Sequence, residues 1–352
     1  MATTISTTNT TTMDIPTTMR AWQWTTCPTT LESALSLNAT APVPSRPLAP
    51  GESLIRVLAA ALNPVDYKLA ELPLVGRLAI PKPATPGLDF AGVVARAGPD
   101  SPLQPGERVF GKLEPKQQFG TLAEYIIGSR EGTVALPEGV SFEAGAALGV
   151  CGLVTYQALT KYVKGGERVF VNGGSGGTGV FAVQIAKVLG CEVVATCSGA
   201  NMQLCKDLGA DEVIDYRTQS VPDVLEKSGK KVDFVLDNVG EPAALYWQAP
   251  KFTKPGAKYV QIGSQVSLGF IYDLAFRFVV PTWLGGAQIP FSFAMASTNL
   301  KDYERLATLV VQGKVEPVID EVFEMEDVPQ GYKKLRTGRT RGKIVVRVAQ
   351  ES

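Results

Sequence analysis

The run Asn172-Gly173-Gly174-Ser175-Gly176-Gly177-Thr178-Gly179 has the residue types of a phosphate cradle. Glycines let a backbone approach a pyrophosphate closely, and a helix N-terminus adds unpaired N–H groups and a partial positive charge. Gly174, Gly176 and Gly179 match the G-x-G-x-x-G spacing, with Ser175, Gly177 and Thr178 between them. The same residues satisfy a second pattern, because Gly173-x-Ser175-x-Gly177 is the turn that presents a hydrolase's nucleophilic serine. That serine needs a histidine to take its proton, and the chain contains none. A glycine turn with no ligand is the remaining alternative, and so flexible a turn is costly unless something approaches it.

A cradle needs a strand before it and a helix after it. Val169-Phe170-Val171 reads as a buried strand, and Val180–Leu189 has helical spacing of apolar residues. Strand and helix patterns then alternate through Glu192–Cys197, Asn201–Leu208, Glu212–Tyr216, Val232–Asn238 and Lys258–Gly263. That is the rhythm of a parallel, doubly wound α/β sheet. Upstream, residues 19–140 read as short strands between Pro- and Gly-rich turns, which predicts a barrel-like β domain. Phe142 to Leu159 turns helical, and the tail carries one helix, Leu300–Val311, and a final strand, Lys343–Val348.

Composition narrows the partners. Lys+Arg and Asp+Glu both number 34 among 352 residues, and no basic stripe is present, so nucleic acid is not an expected partner. Five cysteines without CxxC spacing predict free thiols in a reducing compartment, the cytoplasm. Residues 1–18 are threonine-rich and read as a disordered tail without the features of a secretory or transit signal. No membrane span is predicted: Val266 to Ala296 comes nearest, but Asp273, Arg277 and Pro281 interrupt it. A buried or oligomer-contact segment is expected there.

Six further motifs complete the pattern: Asn63-Pro64-Val65-Asp66-Tyr67-Lys68, Pro86–Val94, Pro105–Gly111, Gly120–Tyr125, Leu208–Tyr216 and Arg341–Val346. With the glycine turn they make the chain resemble the medium-chain dehydrogenase/reductase superfamily over essentially all of residues 19–350. Within it, the chain is most similar to zinc-independent quinone oxidoreductases and fungal enoyl reductases, the Asn63–Lys68 motif pointing to the latter. The resemblance implies a GroES-like β-barrel catalytic domain plus a Rossmann domain with a doubly wound parallel sheet. It divides the chain into the tail 1–18, catalytic domain 19–142, NADP-binding Rossmann domain 143–296, and a return to the catalytic domain over 297–352. It is compatible with a homodimer.

Selection of the dinucleotide rests on charge. An NAD site usually has an acidic residue about 20 positions after the glycines, on the ribose 2′-hydroxyl. Here the second strand ends Thr196-Cys197-Ser198-Gly199-Ala200-Asn201, with no carboxylate to repel a 2′-phosphate, so NADP(H) is expected. By resemblance, Ser198, Asn201 and Tyr216 hold the 2′-phosphate end, and Ser175-Gly176-Gly177-Thr178 the pyrophosphate. Ser198 also reads as an ordinary cap of the next helix, and Tyr216 as a strand-end surface residue. Thr155 aligns with a threonine near the nicotinamide, and Asn238, Ile262 and Gly263 sit at strand ends where ligands of such sheets collect. Lys343, Asp66 and Lys68 are further cofactor contacts by resemblance; Lys343 reads equally as a solvated lysine, and Asp66 as a helix cap.

Zinc-dependent members of the superfamily polarise a carbonyl with a metal held by Cys and His. Where their histidine falls, this chain has Gly87-Leu88-Asp89; where their first cysteine falls, it has Asn63–Asp66; only Cys151 matches a third ligand. No metal is expected. Without a Lewis acid, a conjugated acceptor is the easier substrate, because hydride added at its β-carbon leaves a delocalised enolate. The protein then needs to position the acceptor and offer hydrogen bonds or a cation to the developing oxyanion. Lys68 is the candidate for that cation or for proton delivery, and Tyr67 and Asn63 for substrate or nicotinamide contacts. A small conjugated molecule is the expected substrate. A trans-acting enoyl reductase serving a polyketide synthase carrier domain, and a noncatalytic NADPH-binding interaction protein, are the alternatives.

Overall fold

The computed structural model describes residues 14–72, 75–114, 120–240, 244–263, 268–284, 286 and 288–351. The chain divides into two compact units. One takes its described residues from Met1–Ala146, Phe323–Gln330 and Val346–Ser352, and the other from Ala147–Val322 and Gly331–Val345.

The second unit is built on a six-stranded sheet. Its spatial order is Glu212–Asp215, Glu192–Cys197, Arg168–Asn172, Val232–Asp237, Thr253–Gln261, Phe291–Phe293, and every neighbouring pair is parallel. Numbered along the chain, that is the order 3-2-1-4-5-6 of the Rossmann sheet, and the expectation holds. The direction of winding reverses between Arg168–Asn172 and Val232–Asp237, so their C-terminal ends form the crevice where such sheets bind ligands. The central strands are apolar throughout because helices cover both faces, and Val169, Phe170, Val171, Val193, Val194 and Val235 are fully buried.

At the opposite, N-terminal end of the first strand, the buried Arg168 guanidinium pairs with Glu192 and, at 2.9 Å, with Glu212. One cation thereby ties three adjacent strands. Arg168 is also the main reason the Glu212 carboxyl is held below its ordinary value. Both carboxylates are partly exposed, so Arg168→Met is expected to cost about 1–2 kcal/mol near neutral pH, read as a lower Tm. A depressed carboxylate contributes stability above its unfolded pKa and loses it as pH falls through the folded one. The gap between wild type and variant should therefore close below about pH 4. An undiminished gap at acid pH would mean packing, not charge, is what Arg168 supplies.

In the first unit, strands Ser53–Ala61, Asp89–Ala97, Arg108–Lys112 and Thr133–Ala135 pair antiparallel in that order, and Tyr125–Gly128 also pairs with Ser53–Ala61. Ile319–Glu324 and Lys343–Arg347 are neighbouring strands whose residues fall partly in each of the two units. A separate ribbon, Thr18–Gln23 with Ser36–Pro42, joins through the bridges Ala21–Ala123 and Trp24–Ala84. The barrel-like β domain is realised as this sheet and ribbon. Leu54, Ile55, Phe90 and Phe110 are fully buried within it.

Several elements depart from the sequence expectation. The helical stretch after Phe142 is two helices, Phe142–Leu148 and Val150–Tyr162, broken at Gly149 with an inter-axis bend of 47°. The tail has a second helix, Val328–Arg336, and the strand Ile319–Glu324, where one helix was expected. Val328 and Tyr332 are that helix's deeply buried apolar side chains, a stripe too narrow to read. Residues 1–13 of the threonine-rich tail lie outside the described residues, and the first strand begins at Thr18. The apolar stretch from Val266, itself outside the described residues, contains the helix Leu268–Val279, in which Asp273 and Arg277 neutralise each other one turn apart. Among the described residues no single helix is long and apolar enough to cross a membrane.

Candidate functional site

The glycine turn sits at the switch point of the parallel sheet. Gly173 has φ +77°, a conformation costly for other residues, and its N–H donates to Thr196 Oγ1 at 2.8 Å. Gly174 N–H donates to the Thr196 carbonyl at 2.7 Å, so the turn is stitched to the second strand. A Cβ on Gly179 would overlap the Gly173 carbonyl, whereas one on Gly176 would meet nothing nearer than 3.7 Å. Gly179 therefore serves helix-to-strand packing, and Gly176 leaves open space beside the loop. The helix Gly179–Val188 that follows has no side-chain cap at Thr178. Its first N–H groups are the kind that receive a phosphate.

The two glycines give separable predictions. Gly176→Ala should melt like wild type yet bind dinucleotide at least tenfold more weakly, because the new methyl occupies the approach to the backbone. Gly179→Ala should lower stability by about 1–3 kcal/mol through overpacking. Thermal melts and dinucleotide titration read the two effects, and unimpaired binding by Gly176→Ala would mean no ligand reaches the loop.

Around the turn, the second unit gathers most of the expected cofactor residues. Asn201 Nδ2 donates to Ser175 Oγ at 3.2 Å and lies 3.4 Å from Ser198 Oγ, joining the glycine loop to the end of the second strand. Tyr216 donates its backbone N–H to the Cys197 carbonyl at 3.2 Å and exposes its ring, 53 % of the residue being accessible. Thr155 is fully buried, with Oγ1 3.4 Å from the Thr178 carbonyl, so its hydroxyl steadies the loop. The tail closes on the loop as well. Gly342 N–H donates to the Ser175 carbonyl at 2.9 Å, and Lys343 is buried with Nζ 3.4 Å from Cys151 Sγ. The Lys343 stem passes under Gly177, where a Cβ would come within 3.3 Å of it.

The strand ends across the switch point are organised by Asp237, a residue the sequence reading passed over. Its buried carboxylate accepts from Asn172 Nδ2 (2.8 Å), Tyr259 OH (2.6 Å), Val239 N–H (3.0 Å) and Gly240 N–H (2.9 Å). Burial, with this carboxylate next to it, drives the Tyr259 hydroxyl well above its ordinary pKa, so it stays a donor. Asp237 thereby fixes Asn238, whose Nδ2 donates to the Asn172 carbonyl at 3.0 Å. Asn238 Oδ1 is buried and accepts no hydrogen bond from the described residues. Such an orphan is expensive unless a ligand donates to it, as a ribose hydroxyl or a carboxamide can. Ile262 N–H donates to the Asp237 carbonyl at 2.8 Å, and Gly263 lies so close to the Asn238 carbonyl that no Cβ fits. The empty approach at Gly176, the uncapped helix and the orphaned acceptor all suit a dinucleotide.

Asp215 is a second residue missed. It lies in register with Cys197 on the neighbouring strand, and its Oδ2 would be 2.8 Å from a Cβ on Gly199. A search along one strand could not find it; the pairing of two strands could.

Asn63, Asp66, Tyr67 and Lys68 belong to the first unit, on or beside the helix Pro64–Glu71. Asp66 Oδ2 accepts from Asn63 N–H at 2.8 Å, so the capping role holds. Asn63 is buried, and its Nδ2 donates to Asp89 Oδ2 at 2.9 Å and to the Ala61 carbonyl at 3.2 Å. Its amide donors thus steady Asp89. Lys68 is half-buried, and that burial lowers its pKa from the ordinary lysine value.

Models of two families match the chain: the alcohol dehydrogenase GroES-like domain over residues 49–138, and zinc-binding dehydrogenase over residues 208–346. The chain is 47 % identical over 347 residues to the trans-enoyl reductase pgmF of Aspergillus terreus, covering 95 % of this chain and 97 % of that protein. It belongs to the medium-chain dehydrogenase/reductase superfamily. This superfamily member is also 33 % identical over 347 residues to the 2-methylene-furan-3-one reductase of Solanum lycopersicum, covering 96 % and 81 % of the two chains. Among solved structures, the quinone oxidoreductase of Coxiella burnetii superposes with a TM-score of 0.80 at 28 % identity, over 94 % of this chain and 99 % of that one. The chain is thus an oxidoreductase whose relatives reduce enoyl, enone and quinone substrates, and the superfamily's cofactor is NAD(P)H.

Proposed function

We propose that this oxidoreductase is an NADPH-dependent, zinc-independent reductase of a conjugated C=C bond or quinone, acting in the cytoplasm. The observation that carries the reading is the polar cluster Ser175–Asn201–Ser198, which joins the glycine loop to a strand end without a carboxylate of its own. Ser198, Asn201 and Tyr216 hold the 2′-phosphate; Ser175, Gly176, Gly177 and Thr178 hold the pyrophosphate, with Lys343 beneath. Asn238, Ile262, Gly263 and Thr155 face the nicotinamide end. When bound, the dinucleotide supplies a hydride. Lys68 Nζ holds a proton and a positive charge for the acceptor's oxygen, and Tyr67 orients the acceptor. Zinc-free chemistry is supported by the occupation of the positions that hold metal in zinc-dependent members. Cys151 is engaged by the Lys343 ammonium, Leu88 replaces histidine, and Asp89 is engaged by Asn63.

The 47 % identity to a trans-enoyl reductase favours one form of this activity, in which a polyketide synthase carrier domain presents an enoyl thioester. NADPH oxidation is to be measured against quinones, small enones, free enoyl thioesters and the same enoyl group on a carrier protein. Turnover of conjugated acceptors is expected, with the carrier-bound thioester fastest if the protein acts in trans. Tight NADPH binding with no turnover on any acceptor would instead indicate an interaction protein. Stoichiometric zinc in active protein would overturn the metal-free assignment.

A further inference from the structure

A buried polar relay runs from the helix Leu268–Val279 to the end of the fifth strand of the parallel sheet. Asp273 pairs with Arg277 one turn later, and Asp273 Oδ1 accepts from Trp247 Nε1 at 2.8 Å. The Arg277 guanidinium is buried, 4.2 Å from the centroid of the Tyr246 ring and 4.7 Å from that of Phe291. Its Nη1 donates to Gln261 Oε1 at 3.1 Å. Gln261 Nε2 in turn donates to the Gly263 carbonyl at 2.8 Å.

The chemistry of the donors fixes the direction of this chain. A guanidinium can only donate, so the Gln261 amide must turn its oxygen toward Arg277 and its NH2 toward Gly263. Ion pairing, ring stacking and burial leave Arg277 no other arrangement. The Gly263 carbonyl is therefore held by a side chain that cannot flip, next to a backbone already pinned at Asn238. We infer that Arg277, acting through Gln261, is a positioning residue for the nicotinamide half of the dinucleotide, setting the plane of the Gly263 peptide that this half meets. The inference rests on the dinucleotide reading above and adds to it Arg277, a residue outside the strand ends.

The test compares two ligands that share the adenosine half: NADP+ and 2′-phospho-ADP-ribose, which lacks the nicotinamide ring. Gln261→Met keeps the length of the side chain and removes both hydrogen bonds. Titration calorimetry is expected to show NADP+ binding weakened roughly three- to tenfold, the worth of one or two hydrogen bonds, with 2′-phospho-ADP-ribose unchanged. Gln261→Glu is the second variant. Its carboxylate still accepts from Arg277, so the packing persists, but it cannot donate to the Gly263 carbonyl; the same selective loss is expected. Equal weakening of both ligands, or unchanged NADP+ binding in both variants, would overturn the positioning role. Wild-type protein that binds neither ligand would overturn the NADP(H) reading on which the inference rests, so the two failures are distinguishable.

Discussion

Replacing Lys68 by Met is expected to lower kcat on an enone or quinone about 10²- to 10³-fold, the range seen when a preorganised oxyanion partner is removed. Dinucleotide affinity should change by less than about threefold, within the worth of a peripheral contact. Lys68 is the half-buried cation of the Asn63–Lys68 motif, on a helix fixed at its start by the Asn63–Asp66 cap. Desolvation lowers its pKa, which brings loss of the proton closer to the working range. A cation that serves the reaction is lost as pH rises, so wild-type kcat should fall on an alkaline limb with its midpoint below about 10.4, the ordinary lysine value. Lys68→Met should have no such limb. Stability moves the other way: the unfolded chain holds the proton to higher pH than the folded one, so stability rises with pH between the two values. Stopped-flow rates against pH, with NADPH titrations alongside, measure all of this. A variant that keeps kcat but binds NADPH tenfold more weakly would move Lys68 from the reacting centre into the dinucleotide site.

The parallel sheet was readable because its signals are local. Val169–Val171, Val193–Ala195 and Phe234–Leu236 are unbroken apolar runs, each followed by a polar residue, and strands covered on both faces are built on such runs. The glycine loop was readable for a related reason, since its motif spacing is contained in the eight residues Asn172–Gly179. What stayed hidden depends on residues far apart in the chain. Asp237 looks like the polar end of a strand until Asn172, Tyr259 and the 239–240 backbone converge on it. Asp215 escapes a count of 20 positions from the glycines because it reaches the second strand's end sideways, through strand pairing. Arg277 reads as an interruption of an apolar stretch, yet it is buried with its countercharge one turn away. A lone charge at the end or in the middle of an apolar run was the visible trace of both Asp237 and Arg277. Exposed Tyr272, Phe278, Trp283 and Met295 show that the same stretch is not wholly interior, so burial explains one face of it only.

The charge at the second strand's end leads to the other large expected effect. Ser198→Asp should weaken NADPH binding roughly 30-fold and leave NADH binding equal or improved. A carboxylate about 4 Å from a phosphate, at an effective dielectric near 20, adds about 4 kcal/mol of repulsion per pair of unit charges. Solvent access at the strand end reduces that to about half, which is still more than tenfold. NADH carries a 2′-hydroxyl instead, which a carboxylate can accept from. Asp215 sharpens the experiment because it already places one carboxylate beside Gly199. Its Oδ1 accepts from Arg217 N–H at 3.0 Å, which commits that oxygen to its own turn. Asp215→Asn should therefore tighten NADPH binding a few-fold by removing a negative charge, with little effect on NADH. Were Asp215 the anchor of a ribose 2′-hydroxyl, the same variant would weaken NADH and spare NADPH. Fluorescence titrations of both nucleotides on the three proteins separate these outcomes. Equal loss of both nucleotides in Ser198→Asp would place the 2′ end away from the Ser175–Asn201–Ser198 cluster.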